Sequence, residues 1–118
     1  MLFRSRVIDV FPAHQQQQIR VQLAATLQGI VTQQLVPTLD GRGRVVCCEV
    51  LVATPAIRNL VREAKVHQIP SMMQAGGQHG MVTMDQSLAH LVRAGRISID
   101  AAVERCANES DLRRLMAA

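Results

Sequence analysis

The sequence contains no tryptophan and no tyrosine, and its two phenylalanines, Phe3 and Phe11, both lie near its beginning. Proteins that hold single-stranded nucleic acid need aromatic platforms on which bases stack. This chain has almost none, so its net charge of +4 does not by itself point to nucleic acid. Cysteine is scarce as well. Cys47 and Cys48 are neighbours and Cys106 stands alone, an odd total with no CxxC pair. That pattern gives neither a zinc site nor a redox motif and reads as reduced thiols of a cytosolic protein. No apolar run nears the roughly 20 residues needed to span a bilayer. The arginines within residues 1–6 are not followed by the apolar stretch of a signal peptide. No direct membrane insertion is therefore expected. Lysine is nearly missing: twelve of the 13 basic residues are arginine, and the exception is Lys65. The arginine fork suits carboxylates and phosphates, and a GC-rich genome produces the same bias.

What the chain does have is aliphatic. Nearly half of its 118 residues are hydrophobic (48%), which argues against disorder and fits one domain or a piece of a larger one. Ile19, Leu23, Leu27, Ile30 and Val31 recur at helical spacing and predict a helix over 15–34. Residues 35–39 read as a short strand restricted to an edge by Pro37. Asp40-Gly41 signals a turn. Residues 44–53 form a strand that is apolar on both faces, and such a strand expects cover on both sides. Thr54-Pro55 is a helix start, with threonine as the cap and proline in the first turn. The helix of 56–66 places Ile57, Leu60 and Val61 on one face. Arg58, Arg62 and Lys65 fall on another and are expected to point away from the core. Residues 68–74 give a short helix broken by Gly76-Gly77. Thr83 and Gln86 make a capping-box pair for a helix that ends at Gly95. Ser98 and Ser110 are placed to open two more. The predicted architecture is a hairpin followed by a helical bundle.

Motifs for chemistry are mostly excluded. The phosphate-binding pattern GxxxxGK[ST] is absent, and Lys65, between Ala64 and Val66, cannot sit in such a loop. Val45 to Glu49 imitates the apolar strand and carboxylate of a Walker B segment. Without a phosphate loop to hold magnesium, Glu49 is better read as a strand residue. His14, His67, His79 and His90 show no metal-ligand spacing, and no GxSxG elbow is present. Residues 81–107 could be taken for a helix-turn-helix, but Asp100 and Glu104 would oppose phosphates on the second helix. The remaining candidate is Ala56-Ile57-Arg58-Asn59-Leu60-Val61-Arg62-Glu63. From the residues alone, an amphipathic packing helix with solvated charges is the favoured account of it.

That octapeptide resembles AIRNLIRE, the signature of the PilT family, the retraction ATPases of type IV pili. It differs from it by Val61 in place of isoleucine. Arg6 to Pro12 (RVIDVFP) is similar to the family's RIIDVFP. Ile19-Arg20, residues 23–34, Gly43-Arg44-Val45, Glu49-Val50-Leu51, residues 68–71, Gly80-Met81 and Met84-Asp85-Gln86 match further family segments. The resemblance runs from about Arg6 to Leu115, whereas Met1 to Ser5 match nothing in it.

The resemblance implies an α/β fold: the distal strands of a RecA-like P-loop ATPase domain (1–55, helix plus hairpin) followed by a C-terminal helical region (56–118). It implies the force-coupling region of a hexameric motor that drives pilus retraction in twitching motility. The family's phosphate loop, acidic box, Walker B segment and histidine box all precede RIIDVFP. The expectation is thus a truncated gene, a partial reading frame or an excised domain. No nucleotide site is expected in this chain, with ATP and magnesium belonging to the full-length family. Implied partners are other motor subunits and an inner-membrane platform protein, at the cytoplasmic base of the pilus machine. Residues Ala56 to Glu63 are implied as the coupling motif, distinct from nucleotide binding. Alternatives are a related secretion or pilus-assembly ATPase, a stand-alone adaptor that binds a full-length motor, and a small nucleic-acid-binding module.

Overall fold

A computed structural model describes residues 8–118; Arg6 and Val7 of the RVIDVFP segment, and Phe3, lie outside the described residues. Helix α1 (Ala13–Thr26) is followed by strands β1 (Gly29–Pro37) and β2 (Arg44–Val52), which form an antiparallel hairpin. Helix α2 (Pro55–Arg62) follows, then a 3₁₀ turn at Val66–Gln68 that runs into the short α3 (Ile69–Gln74) and a second 3₁₀ turn at Gly77–His79. Helices α4 (Met84–Arg93), α5 (Ile99–Arg105) and α6 (Glu109–Ala117) complete the chain.

The helix expected over 15–34 stops at Thr26, and β1 begins three residues later. Gly29 sits against β2 so closely that a Cβ there would lie 2.8 Å from the Leu51 carbonyl oxygen. Ala53 N–H donates to Gln28 O at 3.0 Å at the same place. Pairing with Leu51 and Val50, 21 and 19 positions further along the chain, overrides the helical spacing of Ile30 and Val31, which instead point to opposite faces of β1. The register pairs Gly29 with Val52 and runs to Pro37 with Arg44, so β1 is longer than the expected 35–39. Pro37 takes its last position.

Alternation then sorts the hairpin into two faces. The inner face carries Val36, Cys47 and Leu51, all buried. Burial pushes the Cys47 thiol up, which keeps it neutral beside the Met84 sulfur at 3.4 Å. The outer face carries Val31, Leu35 and Val46, which are 61%, 55% and 49% exposed. The cover expected on both faces of β2 is complete at Cys47 and Leu51 on the inner face; on the outer face it is partial at Cys48, Val50 and Val52 and missing at Val46. Along the edge of β2 away from β1, a single bridge ties Val50 to Val82, with N–H to O distances of 2.8 and 3.1 Å.

Two apolar clusters hold the helices. One joins Val36 and Cys47 to Leu88, Ile97, Ala102 and Leu112. The other joins Ala24 and Leu51 to Ile57, Leu60, Ile69 and Met73. Each draws residues from both sides of Pro55. The caps follow the sequence closely. Thr54 accepts from Ile57 N–H, Ser98 from Ala101 N–H, and Thr83 and Gln86 complete their reciprocal box. Helix α6 is capped by Asn108, which accepts from Asp111 N–H at 3.0 Å, and not by Ser110. Asp85 is buried and accepts from Ala107 N–H at 2.8 Å and Asn108 N–H at 3.1 Å, fastening the α5–α6 turn to α4.

Helix α2 is shorter than the expected 56–66. Lys65 N–H donates to Leu60 O at 2.8 Å and Ala64 N–H to Val61 O at 3.3 Å, the two bonds of a Schellman ending. That ending needs a left-handed residue at position 64. Ala64 takes it at φ 60°, where a Cβ crowds the backbone. Ala64→Gly is expected to raise unfolding stability by roughly 1 kcal/mol, read as a higher urea midpoint at unchanged slope. A loss of stability would show that the Ala64 methyl contributes more by packing than it costs in strain.

Candidate functional site

Helix α2 is the octapeptide singled out by the sequence, and its eight residues divide into three environments. Ile57, Leu60 and Val61 are buried and form the helix's seat in the second apolar cluster. Ala56, Asn59, Arg62 and Glu63 are exposed. Their spacing of three and four lines them along the outer side of the helix. Arg58 is half-buried between these two faces.

The expectation that Arg58 and Arg62 both face solvent holds for Arg62 and fails for Arg58. The Arg58 guanidinium donates from Nη1 to the Ala24 carbonyl at 2.7 Å. Ala24 lies in the last turn of α1, where carbonyls lack helical partners and carry the negative end of the helix dipole. A cation there is attracted and also satisfies an acceptor that α1 leaves open. The return contact runs the other way. Gln17 Nε2, in the first half of α1, donates to the Arg62 carbonyl at 3.3 Å, at the last residue of α2. The two helices thus lie antiparallel, with each supplying a side-chain donor to the C-terminal turn of the other. Sequence reasoning missed both contacts. The partners are 34 and 45 residues apart, and nothing local marks them.

Arg58→Ala is consequently expected to cost about 1.5 kcal/mol, the loss of a charge-assisted hydrogen bond with one carbonyl left unpaired. Arg62→Ala should stay within about 0.5 kcal/mol. Paired urea titrations of the two variants check this. Equal, small losses would mean that the Arg58 contact adds nothing.

On the outer side, Arg62 Nη1 donates to Asn59 Oδ1 at 2.6 Å. Glu63 pairs with Lys65 at 3.3 Å, both more than half exposed, an arrangement that contributes little to stability. A pocket of about 80 Å³, lined by Asp9, Arg20, Leu23, Val61 and Ala64 among others, opens beside the end of α2. It is several times too small for a nucleotide-sized ligand.

The other sequence candidates have structural surroundings. Glu49 does not stand free at a strand end: its Oε1 accepts from Met84 N–H at 3.3 Å, at the positive start of α4. His14, His67, His79 and His90 are all exposed. Among the described residues no group of three His, Cys, Asp or Glu side chains is placed to hold a metal. No described helix is long and apolar enough to cross a membrane.

The chain is 47% identical over 107 residues to the twitching motility protein of Neisseria gonorrhoeae, covering 91% of this chain and 29% of that protein. It is 46% identical over 100 residues to the type IV pilus retraction ATPase PilT of Pseudomonas aeruginosa, covering 85% of this chain and 29% of the relative. The crystal structure of the pilus retraction motor PilT with bound ADP superposes with a TM-score of 0.82 at 40% identity, over 95% of this chain and 31% of that one. The chain is PilT-like. Its α/β arrangement of hairpin and helices corresponds to the C-terminal part of a PilT-like motor, and it spans 29% of the length of these curated relatives. No family model matches the sequence. None of these relatives is named as an adaptor or a nucleic-acid-binding protein.

Proposed function

We propose that this PilT-like chain serves as the force-coupling region of a motor that retracts type IV pili, and that α2 is the coupling element. The observation that carries the reading is the division of labour within the octapeptide. Packing accounts for Ile57, Leu60 and Val61, and the latch to α1 accounts for Arg58. Neither accounts for Asn59 and Arg62, which hold each other at 2.6 Å on a solvent-facing stripe. A polar pair that contributes little to folding, mounted on a helix fixed at both ends, suits transmission of movement to a partner, because a rigid mount passes displacement on instead of absorbing it.

In this reading ATP and magnesium are bound by other parts of the motor. These 118 residues contain no glycine-rich phosphate loop, and the ADP named with the solved PilT motor would sit outside the segment matched here. The neighbours of the chain would be like subunits of a hexameric ring and a platform protein of the inner membrane, placing it at the cytoplasmic base of the pilus machine. The outward stripe of α2 faces the platform or a part of the motor that meets it. Pro55 then marks a functional boundary between a motor-side hairpin and a coupling-side helical region, although both apolar clusters cross it.

The test is pilus retraction by a PilT motor of Pseudomonas aeruginosa whose corresponding segment is replaced by this chain, with and without Arg62→Ala. Loss of retraction in the variant at normal protein level is the expected result.

A further inference from the structure

The hairpin turn is closed around one carboxylate. Asp40 and Gly41 are adjacent at its tip, and residues 39–43 are all exposed. Asp40 Oδ1 accepts from Thr38 Oγ1 at 2.6 Å and from Arg42 N–H at 2.9 Å. The hydroxyl has one proton, and Gly43 O lies farther from it, at 3.2 Å, so the charged acceptor holds it. Thr38 Oγ1 in turn accepts from Gly43 N–H at 3.2 Å. Gly41 N–H donates to Thr38 O at 3.0 Å, and Leu39 N–H ties the turn to Arg96 O at 2.9 Å. Gly41 takes φ 72°, a left-handed conformation open to glycine. The Thr38 bond, more than the Arg42 amide, holds the Asp40 carboxyl below its usual pKa and keeps it ionised.

An aspartate followed by glycine is chemically labile, because no side chain hinders the glycine nitrogen in its attack on the aspartate carboxyl. We infer that Asp40-Gly41 is a site of succinimide formation and isomerisation that the folded turn holds closed, with Thr38 as its guard. In the reaction the Gly41 nitrogen bonds to Asp40 Cγ. One carboxyl oxygen leaves as water, taking the carboxyl proton and the Gly41 amide proton. A second water then adds to the Asp40 main-chain carbonyl and breaks its bond to the Gly41 nitrogen. The chain then runs on through the side-chain carbon, as isoaspartate. The fold opposes both requirements of the first step. An ionised carboxylate is a poor electrophile and lacks the proton its leaving oxygen needs. The Gly41 amide is already donating to Thr38 O, which retains the proton it must lose. The product adds one carbon to the main chain between Thr38 and Gly43, whose N–H to O bond at 3.0 Å closes the hairpin. The tie from Leu39 to Arg96 sits in the same loop, so isomerisation would loosen the hairpin's hold on the turn between α4 and α5. Every contact that guards the carboxyl lies within residues 38–43, so the inference stands independently of the proposed coupling role.

The test is storage of the 118-residue chain at neutral pH in water enriched in heavy oxygen, both folded and in denaturing guanidinium, followed by mass spectrometry of the peptide that holds Asp40. Each passage through the succinimide takes up one heavy oxygen. A protease that cuts before aspartate but not before isoaspartate then counts the isomerised fraction. The unfolded chain is expected to label at Asp40, and the folded chain to label at least about tenfold more slowly, since more than one guarding bond is present only in the fold. Thr38→Val removes the hydroxyl and keeps the branched shape; while folded it should label roughly fivefold faster than the wild type, the effect of one lost hydrogen bond. Thr38→Ser keeps the hydroxyl and should label at the wild-type rate. Folded and unfolded chains that label equally fast, an unfolded chain that does not label, or a Thr38→Val chain that labels no faster than Thr38→Ser would each overturn the proposal. Should Thr38→Val fail to fold, the comparison of folded with unfolded wild type and the rate of Thr38→Ser decide.

Discussion

Ile57→Ala is expected to lower the stability of the chain by roughly 2–5 kcal/mol, the cost of deleting a fully buried branched side chain and leaving part of its volume empty. Ile57 is 0% exposed. It lies in the cluster that holds Ala24 of α1, Leu51 of β2, and Ile69 and Met73 of α3, so the residues that would have to collapse into the space are anchored on three other elements. A domain of ordinary size has about 5–15 kcal/mol to lose, so the variant sits near the unfolding threshold. Urea denaturation followed by circular dichroism checks this through the midpoint, with an unchanged slope showing that the folded state is the one affected. A loss under about 1 kcal/mol would mean that α2 is not seated by this cluster. The prediction also sets a limit on genetics. A loss of retraction caused by Ile57→Ala reports folding and says nothing about coupling.

The features legible in the sequence are those decided within three or four residues. Thr54 with Pro55, the reciprocal Thr83 and Gln86 box, and Ser98 each cap the helix they were expected to cap, because the cap and the amide it serves are close in the chain. The Asp40 turn is similar: its carboxylate accepts from Thr38 Oγ1 at 2.6 Å and Arg42 N–H at 2.9 Å, which holds its pKa below the usual carboxylate value. What was illegible depends on distant partners. The end of α1 and the start of β1 are set by the approach of Gly29 to Leu51. Alanine is a strong helix former, so composition favours carrying α2 past residue 64, yet Ala64 adopts the left-handed turn that lets the chain bend away after Glu63. At the candidate site the buried and outward faces of α2 followed from periodicity. The role of Arg58 did not, because its acceptor is a carbonyl on another helix.

The account's central claim is that the outward side of α2 acts on a partner and not on the fold. It separates two arginines that sequence spacing treats alike. Arg58→Ala weakens the mount of the helix by about 1.5 kcal/mol, so a defect from it would mix folding with function. Arg62→Ala removes the partner of Asn59 on an exposed surface and should leave stability within about 0.5 kcal/mol. The most direct measurement is therefore the rate of pilus retraction in cells of Pseudomonas aeruginosa whose PilT motor carries this chain as its C-terminal part, comparing Arg62→Ala with the unmodified chimera at matched protein level and matched melting temperature. The account predicts that the unmodified chimera retracts pili and that Arg62→Ala abolishes retraction without altering assembly or ATP hydrolysis. Retraction at the unmodified rate in the Arg62→Ala motor would contradict it, leaving α2 a packing helix with a solvated face.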